Sequence, residues 1–318
     1  MLVLSAGSAN ELYAAVCREV LEQGRPVAPR GMPTTEVLGA SLVLTDPRRR
    51  LVHLPHARVV NPAFAVAEAL WILSGSDSPW IFIYNRALAR YADEGVLRGA
   101  YGPRIRRWQV QVDQLDHVRR LLRRDPDSRQ AVIQVYDPAR DTLGHRDVPC
   151  TVNYRFFLRD GRLQMHTTMR SNDVWLGLPY DLFTATLMQE LMAGWLDVEL
   201  GSYHHHVDSL HLYDQHTQPA AHLAGTPVRP SPAMPPLAAP HDQLTEFLTA
   251  VVAGAPLAGA GPAWRDHARV LTSYRCWTGG YRSDARALAG VIEGPLGEAL
   301  RGWYDHLAPA TVAGGGVR

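Results

Sequence analysis

Residues 148–181 constrain the fold more than any other part of this sequence. They contain two runs in which apolar and polar residues alternate, 152–158 and 163–169, joined by a short turn that ends in Gly161. Alternation of this kind has the period of a β-strand, and two such runs around a glycine-containing turn are typical of a β-hairpin. A long apolar run at 182–196 follows, and it predicts a helix that is buried on most of its faces.

Reactive and charged residues stand at the ends of these predicted strands. Cys150 directly precedes the first run, and Arg170, Ser171 and Asp173 directly follow the second. Asp181 comes just after a Gly-Leu-Pro turn. The pattern therefore predicts that a thiol, an anion-binding pair and two carboxylates gather near the ends of neighbouring strands.

The totals exclude several classes of protein. With 318 residues and 46% apolar content, the chain has the composition of a globular protein with a sizeable core. A formal charge of +1 indicates no electrostatic surface for nucleic acid. The sequence has no apolar run of membrane-spanning length and no basic-then-apolar leader, so neither a membrane protein nor a secreted one is predicted, and we expect a cytoplasmic location. All 32 basic residues are arginine, which excludes a Schiff-base lysine.

Neither the cysteines nor the histidines predict a metal site. Cys17, Cys150 and Cys276 have no metal-ligand or disulfide spacing, which is typical of reduced thiols. The three adjacent histidines 204–206 lie in a strand-like run, where alternate side chains face opposite ways, so at most the first and third converge. No cysteine or carboxylate pair completes a site there, and we predict that no metal is bound.

Four separated motifs resemble the thymidylate synthase family in order and spacing: Pro149-Cys150, Met169 to Asp173, Leu176 to Asp181, and Asp208 with His211-Leu212-Tyr213. The resemblance covers about residues 10–225. It implies an α/β fold in which helices flank a mostly antiparallel sheet. It also implies a homodimer that binds a pyrimidine nucleoside monophosphate and takes a one-carbon unit from 5,10-methylenetetrahydrofolate.

The resemblance implies catalytic roles for three further positions. Cys150 is the candidate nucleophile, which adds to C6 of the pyrimidine so that C5 becomes reactive. We expect nearby arginines, Arg170 and Arg30, to stabilise its thiolate and lower its pKa. Glu68, in an apolar helical run, and Tyr101 correspond to family residues near the reacting carbon. The alternatives are a surface carboxylate for Glu68 and a buried structural tyrosine for Tyr101.

The resemblance also implies residues that bind the two substrates. For the nucleotide these are Arg30, Arg129, Arg170, Ser171, His211 and Tyr213. The family has two consecutive arginines that reach the phosphate in the partner subunit, and this chain has Arg129 followed by Gln130. For the folate the candidates are Asp173, whose alternative role is to cap the following turn, and Tyr91, which stands where the family usually has tryptophans.

Asp181 distinguishes two branches of the family. Thymidylate synthases carry asparagine at this position, and aspartate resembles the pyrimidine hydroxymethylases whose base is cytosine. A carboxylate accepts a hydrogen bond from the N4 amino group of cytosine, and a shared proton also serves N3. The alternative is that Asp181 caps the following helix without contacting a base.

These residues predict a folate-dependent nucleotide hydroxymethyltransferase. Cys150 forms a covalent adduct at C6 of CMP or dCMP, an exocyclic methylene forms at C5, and water activated by Glu68 adds to it. The alternatives are reductive methylation of dUMP or dCMP and a non-catalytic nucleotide- or RNA-binding homologue. The sequence leaves the sugar, ribose or deoxyribose, open. Arginine in place of lysine suggests a GC-rich bacterium, for which we expect a role in making a nucleoside antibiotic or a modified base.

The predicted organisation has three parts. Residues 1–226 form the catalytic domain, and the Pro- and Ala-rich residues 227–240 form a linker. Residues 241–318 form a helical C-terminal extension that packs on the catalytic domain. The glycine-rich end, residues 313–318, is expected to be disordered.

Overall fold

A computed structural model describes residues 1–55, 57–256 and 261–308. The predicted disorder of residues 313–318 lies outside the described residues. None of the described helices is long and apolar enough to cross a membrane.

The described strands form one mixed sheet. They are β1 (Leu2–Ala6), β2 (Arg25–Val27), β3 (Thr34–Leu44), β4 (Val132–Gln134), β5 (Thr151–Arg159), β6 (Arg162–Met169), β7 (Asn172–Asp173) and β8 (Glu199–Tyr213). The main order is β1-β3-β8-β6-β5-β4, with β2 beside β3 and β7 beside β8. The pairings β2–β3, β3–β8, β4–β5 and β5–β6 are antiparallel, whereas β1–β3, β6–β8 and β7–β8 are parallel.

The predicted hairpin is present as β5 and β6. Leu158 pairs with Leu163, and the loop residues Asp160 and Gly161 have φ values of 51° and 70°. Positive φ at both loop residues suits the right-handed twist of a two-residue hairpin, and glycine adopts it without steric cost. Because β8 pairs with the other edge of β6, the hairpin is built into the sheet and its strand ends face the helices.

Helices cover the sheet, as expected for the predicted α/β fold. They are α1 (Ala9–Gln23), α2 (Pro62–Leu73), α3 (Tyr101–Arg106), α4 (Gln114–Arg124), α5 (Pro138–Asp141), α6 (Leu178–Leu196), α7 (Thr217–Ala224), α8 (Leu244–Ala253), α9 (Pro262–Thr278), α10 (Arg282–Gly290) and α11 (Gly294–Leu307). The predicted α/β class is confirmed, with a sheet that is mixed and in which antiparallel pairings are the more numerous.

Helices α2 and α6 form the centre of the core. Asn61 caps α2 by accepting hydrogen bonds from the backbone N–H groups of Ala63 and Phe64, and Pro62 occupies the first turn, where no N–H is needed. All residues of α2 are buried except Glu68. Helix α6 is likewise apolar on most of its faces, as predicted, because it lies between α2 and the sheet.

The predicted linker is bound to the body of the protein along its length. Met234 N–H donates to the carbonyl of Arg48 at 2.8 Å, and the indole of Trp195 donates to the carbonyl of Ala239 at 2.8 Å. Beyond it, α8, α9 and α11 pack against α2 and share its apolar core. A division of the chain at residue 226 therefore stays a prediction.

One buried carboxylate joins three parts of the chain. Glu190 on α6 accepts hydrogen bonds at Oε1 from Arg48 at 2.9 Å and from the Leu237 N–H at 3.1 Å, and at Oε2 from Arg50. The side chains of Arg50 and Glu190 are 1% and 3% exposed. Removal of one partner from a buried pair leaves the other charge without compensation, and this is more costly than loss of an exposed pair.

We therefore expect Glu190→Gln to destabilise the fold by about 2–4 kcal/mol, measured by urea denaturation. Glu199→Gln is the control, because its ion pair with Arg162 is mostly exposed and its loss is expected to cost less than about 1 kcal/mol. Equal losses in the two variants would show that the Glu190 contacts do not stabilise the fold.

Candidate active site

A cavity of about 180 Å³ lies between the sheet and the two central helices. Helix α2 contributes Glu68 and Trp71, and α6 contributes Asp181 and Thr184. The remaining wall includes Ile72, Leu88, Tyr91, Leu97, Gly99, Ala100, Tyr101, Asp147, Thr151, Tyr154, Thr167, Ala185 and Tyr203. One end of the cavity is therefore polar, while Trp71, Leu88 and Tyr91 make another part apolar and aromatic.

Cys150 lies immediately before β5 and is held by Arg170. The backbone N–H of Arg170 donates to the carbonyl of Cys150 at 2.9 Å, and its guanidinium donates to the carbonyls of Pro149 and Val148 at 2.9 and 3.0 Å. The same guanidinium lies 3.8 Å from the Cys150 sulfur. The predicted pairing of this thiol with a cation is therefore present.

The pKa of the Cys150 thiol is raised overall, although the two arginines act on it in the expected direction. Burial raises the pKa of Cys150, and the charges of Asp181 and Asp147 raise it further. Arg170 and Arg30 act in the predicted direction, but their effect is smaller than that of burial. The sequence showed the cations and did not show how much protein surrounds the sulfur.

Two carboxyl groups, those of Glu68 and Asp181, line the same cavity. Burial raises the pKa of Glu68 to about 8, and the charge of Asp181 adds to the effect. Burial also raises the pKa of Asp181 to about 7, against the hydrogen bond from Asn172, which lowers it. At neutral pH most of Glu68 is therefore protonated, while Asp181 is divided between its acid and its carboxylate. The surface-carboxylate alternative for Glu68 is excluded.

Asp181 is positioned by Asn172 and not by the helix terminus. The Asn172 amide donates to Asp181 Oδ2 at 2.7 Å. Gly177, not Asp181, is the N-cap of α6, so the capping alternative is wrong. A Cβ at Gly177 would lie 2.9 Å from Asn172 Nδ2 and 3.3 Å from Asp181 Oδ2, and its absence leaves room for this contact.

Tyr101 lies beside the thiol. Its hydroxyl accepts a hydrogen bond from the backbone N–H of Thr151 at 3.2 Å and lines the cavity. Burial, with the nearby charge of Cys150, raises the pKa of Tyr101 well above its usual value. The hydroxyl therefore keeps its proton and can donate it into the cavity.

Three of the residues predicted to bind the nucleotide, Ser171, His211 and Tyr213, lie together on β8 and just before β7. β7 and β8 pair so that Asp173 lies beside His211. Ser171 Oγ is 3.4 Å from His211 Nδ1, and the ring of Tyr213 meets that of His211 edge-on with centroids 5.3 Å apart. The two-residue interval between His211 and Tyr213 puts both side chains on one face of β8.

The two outlying arginines lie on exposed turns. Arg30 has a φ of 56° in the turn Pro29–Gly31, and its charge acts on the Cys150 thiol, so it lies near the site. Arg129 is exposed in the turn before β4, and none of the contacts among the described residues joins it to the cavity. Its expected role across a subunit interface stays a prediction.

The two predicted folate residues occupy different settings. Asp173 Oδ1 accepts from the backbone N–H groups of Trp175 and Leu176 at 2.8 and 3.0 Å, which is the turn-capping arrangement kept as its alternative. Tyr91 is 49% exposed and lines the cavity beside Leu88. Contact of either residue with folate stays a prediction.

The three adjacent histidines divide between the two faces of the sheet, as their spacing predicts. The ring of His204 stacks on that of His166 with centroids 4.2 Å apart and an interplanar angle of 1°, and His206 Nε2 is 3.1 Å from His166 Nδ1. Stacked parallel rings do not converge on one ion, and within residues 1–55, 57–256 and 261–308 no group of three or more potential ligands has metal-binding geometry. His205 faces the interior and is fully buried.

The sequence argument missed several residues of the cavity. Tyr154, Thr184 and Asp147 line it, and Asn172 contacts Asp181. Thr184 Oγ1 is buried and has no hydrogen-bond partner among the described residues. Only Asn172 had a signal in the sequence, its place between Ser171 and Asp173 in the motif, and no role was predicted for it.

The comparisons with known proteins agree with the motifs. The model of the thymidylate synthase family matches residues 11–250. A deoxyuridylate hydroxymethyltransferase of Bacillus phage SP01 is 37% identical over 227 residues, which are 67% of this chain and 59% of that relative. The aligned part therefore spans less than two thirds of the relative's length. Because the family match extends over most of the 318 residues and contains the whole cavity, this chain belongs to the thymidylate synthase family.

Proposed function

We propose that this protein transfers a hydroxymethyl group to C5 of a cytidine monophosphate, CMP or dCMP, with 5,10-methylenetetrahydrofolate as the one-carbon donor. The observation that carries the proposal is Asp181, a carboxyl group that lines the cavity together with Glu68 and has one oxygen, Oδ2, bound to Asn172. The similarity to a protein named deoxyuridylate hydroxymethyltransferase supports hydroxymethylation of a pyrimidine nucleotide. The choice of cytosine rests on Asp181 alone.

Cys150 supplies the nucleophile. Its thiolate adds to C6 of the ring and makes C5 electron-rich, so that C5 accepts the one-carbon unit. Since burial raises the pKa of the thiol, its thiolate is scarce at neutral pH. Arg170, 3.8 Å from the sulfur, is the group that stabilises the thiolate as it attacks. The Tyr101 hydroxyl lines the cavity and keeps its proton, so it can donate a hydrogen bond to the bound nucleotide.

Asp181 selects the base. Cytosine presents an amino donor at N4 and an acceptor at N3. With a pKa of about 7, Asp181 is available near neutral pH both as a carboxylate that accepts from N4 and as an acid that donates to N3. Uracil has the opposite pattern at these positions, an acceptor at O4 and a donor at N3. Against ionised Asp181, which only accepts, O4 of uracil is left unpaired, whereas the N4 amino group of cytosine finds its acceptor.

Glu68 acts as the general base that accepts a proton from the attacking water. With a pKa of about 8 it exchanges a proton with water near neutral pH, as general acid–base catalysis requires. The cavity of about 180 Å³ has room for water. The buried Thr184 hydroxyl, which has no partner among the described residues, offers such a water a polar contact.

The aromatic part of the cavity fits the folate. Trp71, Leu88 and Tyr91 present apolar surface of the kind that a planar pterin ring covers. The folate supplies the one-carbon unit at the oxidation level of formaldehyde. The proposal includes a homodimer in which Arg129 binds the nucleotide phosphate of the second copy, and the exposure of Arg129 supports it.

The second candidate function is hydroxymethylation of deoxyuridylate, because the relative's name specifies that nucleotide. Reductive methylation, as in thymidylate synthases, is a third. These candidates differ in base or product, so one set of incubations separates them.

We expect the protein, incubated with methylenetetrahydrofolate, to convert CMP or dCMP to the 5-hydroxymethyl nucleotide, identified by mass spectrometry. Asp181→Asn should shift the ratio of kcat/KM for cytidine over uridine nucleotides by at least about 100-fold toward uridine, since the amide matches the uracil pattern. The control is Asp197→Asn, an exposed substitution just past the other end of α6. Preferred turnover of dUMP by the unmodified protein would contradict the base assignment, and a methyl product would contradict the addition of water.

Replacement of the proposed nucleophile should separate binding from chemistry. We expect Cys150→Ser to lower C5 proton exchange on the nucleotide at least about 1000-fold, because a neutral hydroxyl replaces a thiolate, while nucleotide affinity changes little. Cys276→Ser, on α9, is the matched control and should exchange normally. Unchanged exchange in Cys150→Ser would remove the assignment, and a non-catalytic homologue would show no exchange before or after substitution.

The raised pKa of Glu68 predicts a pH-dependent stability. The folded protein keeps this proton up to a pKa of about 8, whereas the unfolded chain releases it near 4.5, so folding is destabilised as the pH rises through this window. Glu68→Gln should match the unmodified protein at pH 5 and exceed its free energy of unfolding by about 1–3 kcal/mol at pH 8.5 in urea denaturation. Glu246→Gln on the exposed side of α8 is the control, and equal pH slopes in all three proteins would contradict the burial of Glu68.

A further inference from the structure

Among the three adjacent histidines, His205 is the one that is fully buried, although it does not line the cavity. It is fully buried, while His204 and His206 face the opposite side of β8. Its Nε2 is 2.9 Å from Asn172 Oδ1, and its Nδ1 is 2.8 Å from the hydroxyl of Tyr203. Since Asn172 in turn contacts Asp181, a continuous chain of polar groups connects this histidine to the proposed base-reading carboxyl.

The chemistry of the groups sets the direction of this chain. Because a carboxylate accepts only, the Asn172 amide nitrogen faces Asp181 and its carbonyl oxygen faces His205. His205 must then carry its proton on Nε2. Burial, more than the nearby His206, lowers the pKa of His205 to about 3, so the ring is neutral and Nδ1 is an acceptor.

The chain continues to a second residue of the cavity wall. The Tyr203 hydroxyl lies 2.8 Å from His205 Nδ1 and donates to Thr167 Oγ1 at 2.7 Å, and Thr167 lines the cavity. The two hydrogen bonds next to Asp181 share one direction, since His205 Nε2 donates to Asn172 Oδ1 and the Asn172 amide donates to Asp181 Oδ2. Hydrogen bonds aligned in this way in a buried site polarise one another and strengthen the last bond, here the one to Asp181 Oδ2.

We propose that Asn172 and His205 are positioning residues for Asp181. They fix its carboxyl group so that Oδ2 accepts the hydrogen bond from Asn172 and Oδ1 is left to bind the edge of the pyrimidine ring. The inference rests on the proposed function in that Asp181 reads the base. A proton on the carboxyl then resides on Oδ1, because Oδ2 already accepts from Asn172. The same oxygen is therefore either the donor or the acceptor that the base meets.

Other titratable groups also surround Asp181, and substitution of Asn172 or His205 leaves them in place. The groups that interact electrostatically with Asp181 are Glu68 on α2, Asp173 on β7, Tyr101 on α3, Tyr154 on β5, Tyr203 on β8 and Cys150. Burial and the charge of Asp173 raise the pKa of Asp181, and the hydrogen bond from Asn172 lowers it. Its removal should raise that pKa, and the expected direction does not depend on which base is bound.

The test compares Asn172→Ala, His205→Phe and His205→Gln, with His204→Gln on the opposite face as control. Glutamine places an N–H donor near the position of His205 Nε2, so His205→Gln should keep the contact with Asn172, whereas phenylalanine fills the space without a donor. We expect Asn172→Ala and His205→Phe to reduce discrimination between dCMP and dUMP in kcat/KM at least about tenfold. In the same two variants, the acidic limb of the profile of kcat/KM against pH should shift to higher pH by about one unit.

A second measurement needs no nucleotide. Carbon-13 NMR of labelled protein follows the pKa of the Asp181 carboxyl, and Asp181→Asn assigns its signal. This pKa should rise in Asn172→Ala and His205→Phe and should be unchanged in His205→Gln and His204→Gln. An unchanged pKa in Asn172→Ala, or equal damage from phenylalanine and glutamine at position 205, overturns the inference. If the unmodified protein prefers dUMP, the cytidine assignment fails separately, and the same variants should then lose preference for dUMP.

Discussion

The packing of α2 against α6 is the constraint on which the site depends. Both helices are apolar on nearly every face, and each carries one carboxyl group into the space that their contact leaves beside the sheet. An ionised carboxylate in such a place is costly unless it has partners. Glu68 avoids most of this cost by keeping its proton to a pKa of about 8, and Asp181 by accepting from Asn172.

This arrangement explains why the polar residues around the cavity are so closely connected. Gly177 leaves room for Asn172 to reach Asp181, and His205 donates a hydrogen bond to the carbonyl oxygen of the Asn172 side chain. The parallel pairing of β7 with β8 brings the segment that carries Asn172 next to the strand that carries His205. A buried polar group thus gains its partner from the sheet, and the low dielectric that raises the pKa of the carboxyls also strengthens these hydrogen bonds.

Much of the site followed from local sequence. The hairpin of β5 and β6 was predicted from alternation and a glycine turn, and it brings Cys150 and Arg170 together because they stand at paired strand ends. The two-residue interval that joins His211 and Tyr213 on one face of β8 is equally local. The net rise of the thiol pKa was not predicted, because it depends on how much protein surrounds the sulfur, and no motif reports burial. Asp181 was identified from the sequence as a departure from the thymidylate synthase pattern that bears on the base, whereas no role was predicted for its partner Asn172.

By itself, the sequence determined the α/β fold, the hairpin, the family and the identities of the thiol, the arginine and the carboxyls, because each depends on residues near one another in the chain or on motif order. Only the tertiary structure decided the protonation of those groups and which oxygen of Asp181 is free. Both depend on the solvent that α2, α6 and the sheet exclude together. Desolvation is a property of packed elements from distant parts of the chain, so no single stretch of sequence carries it.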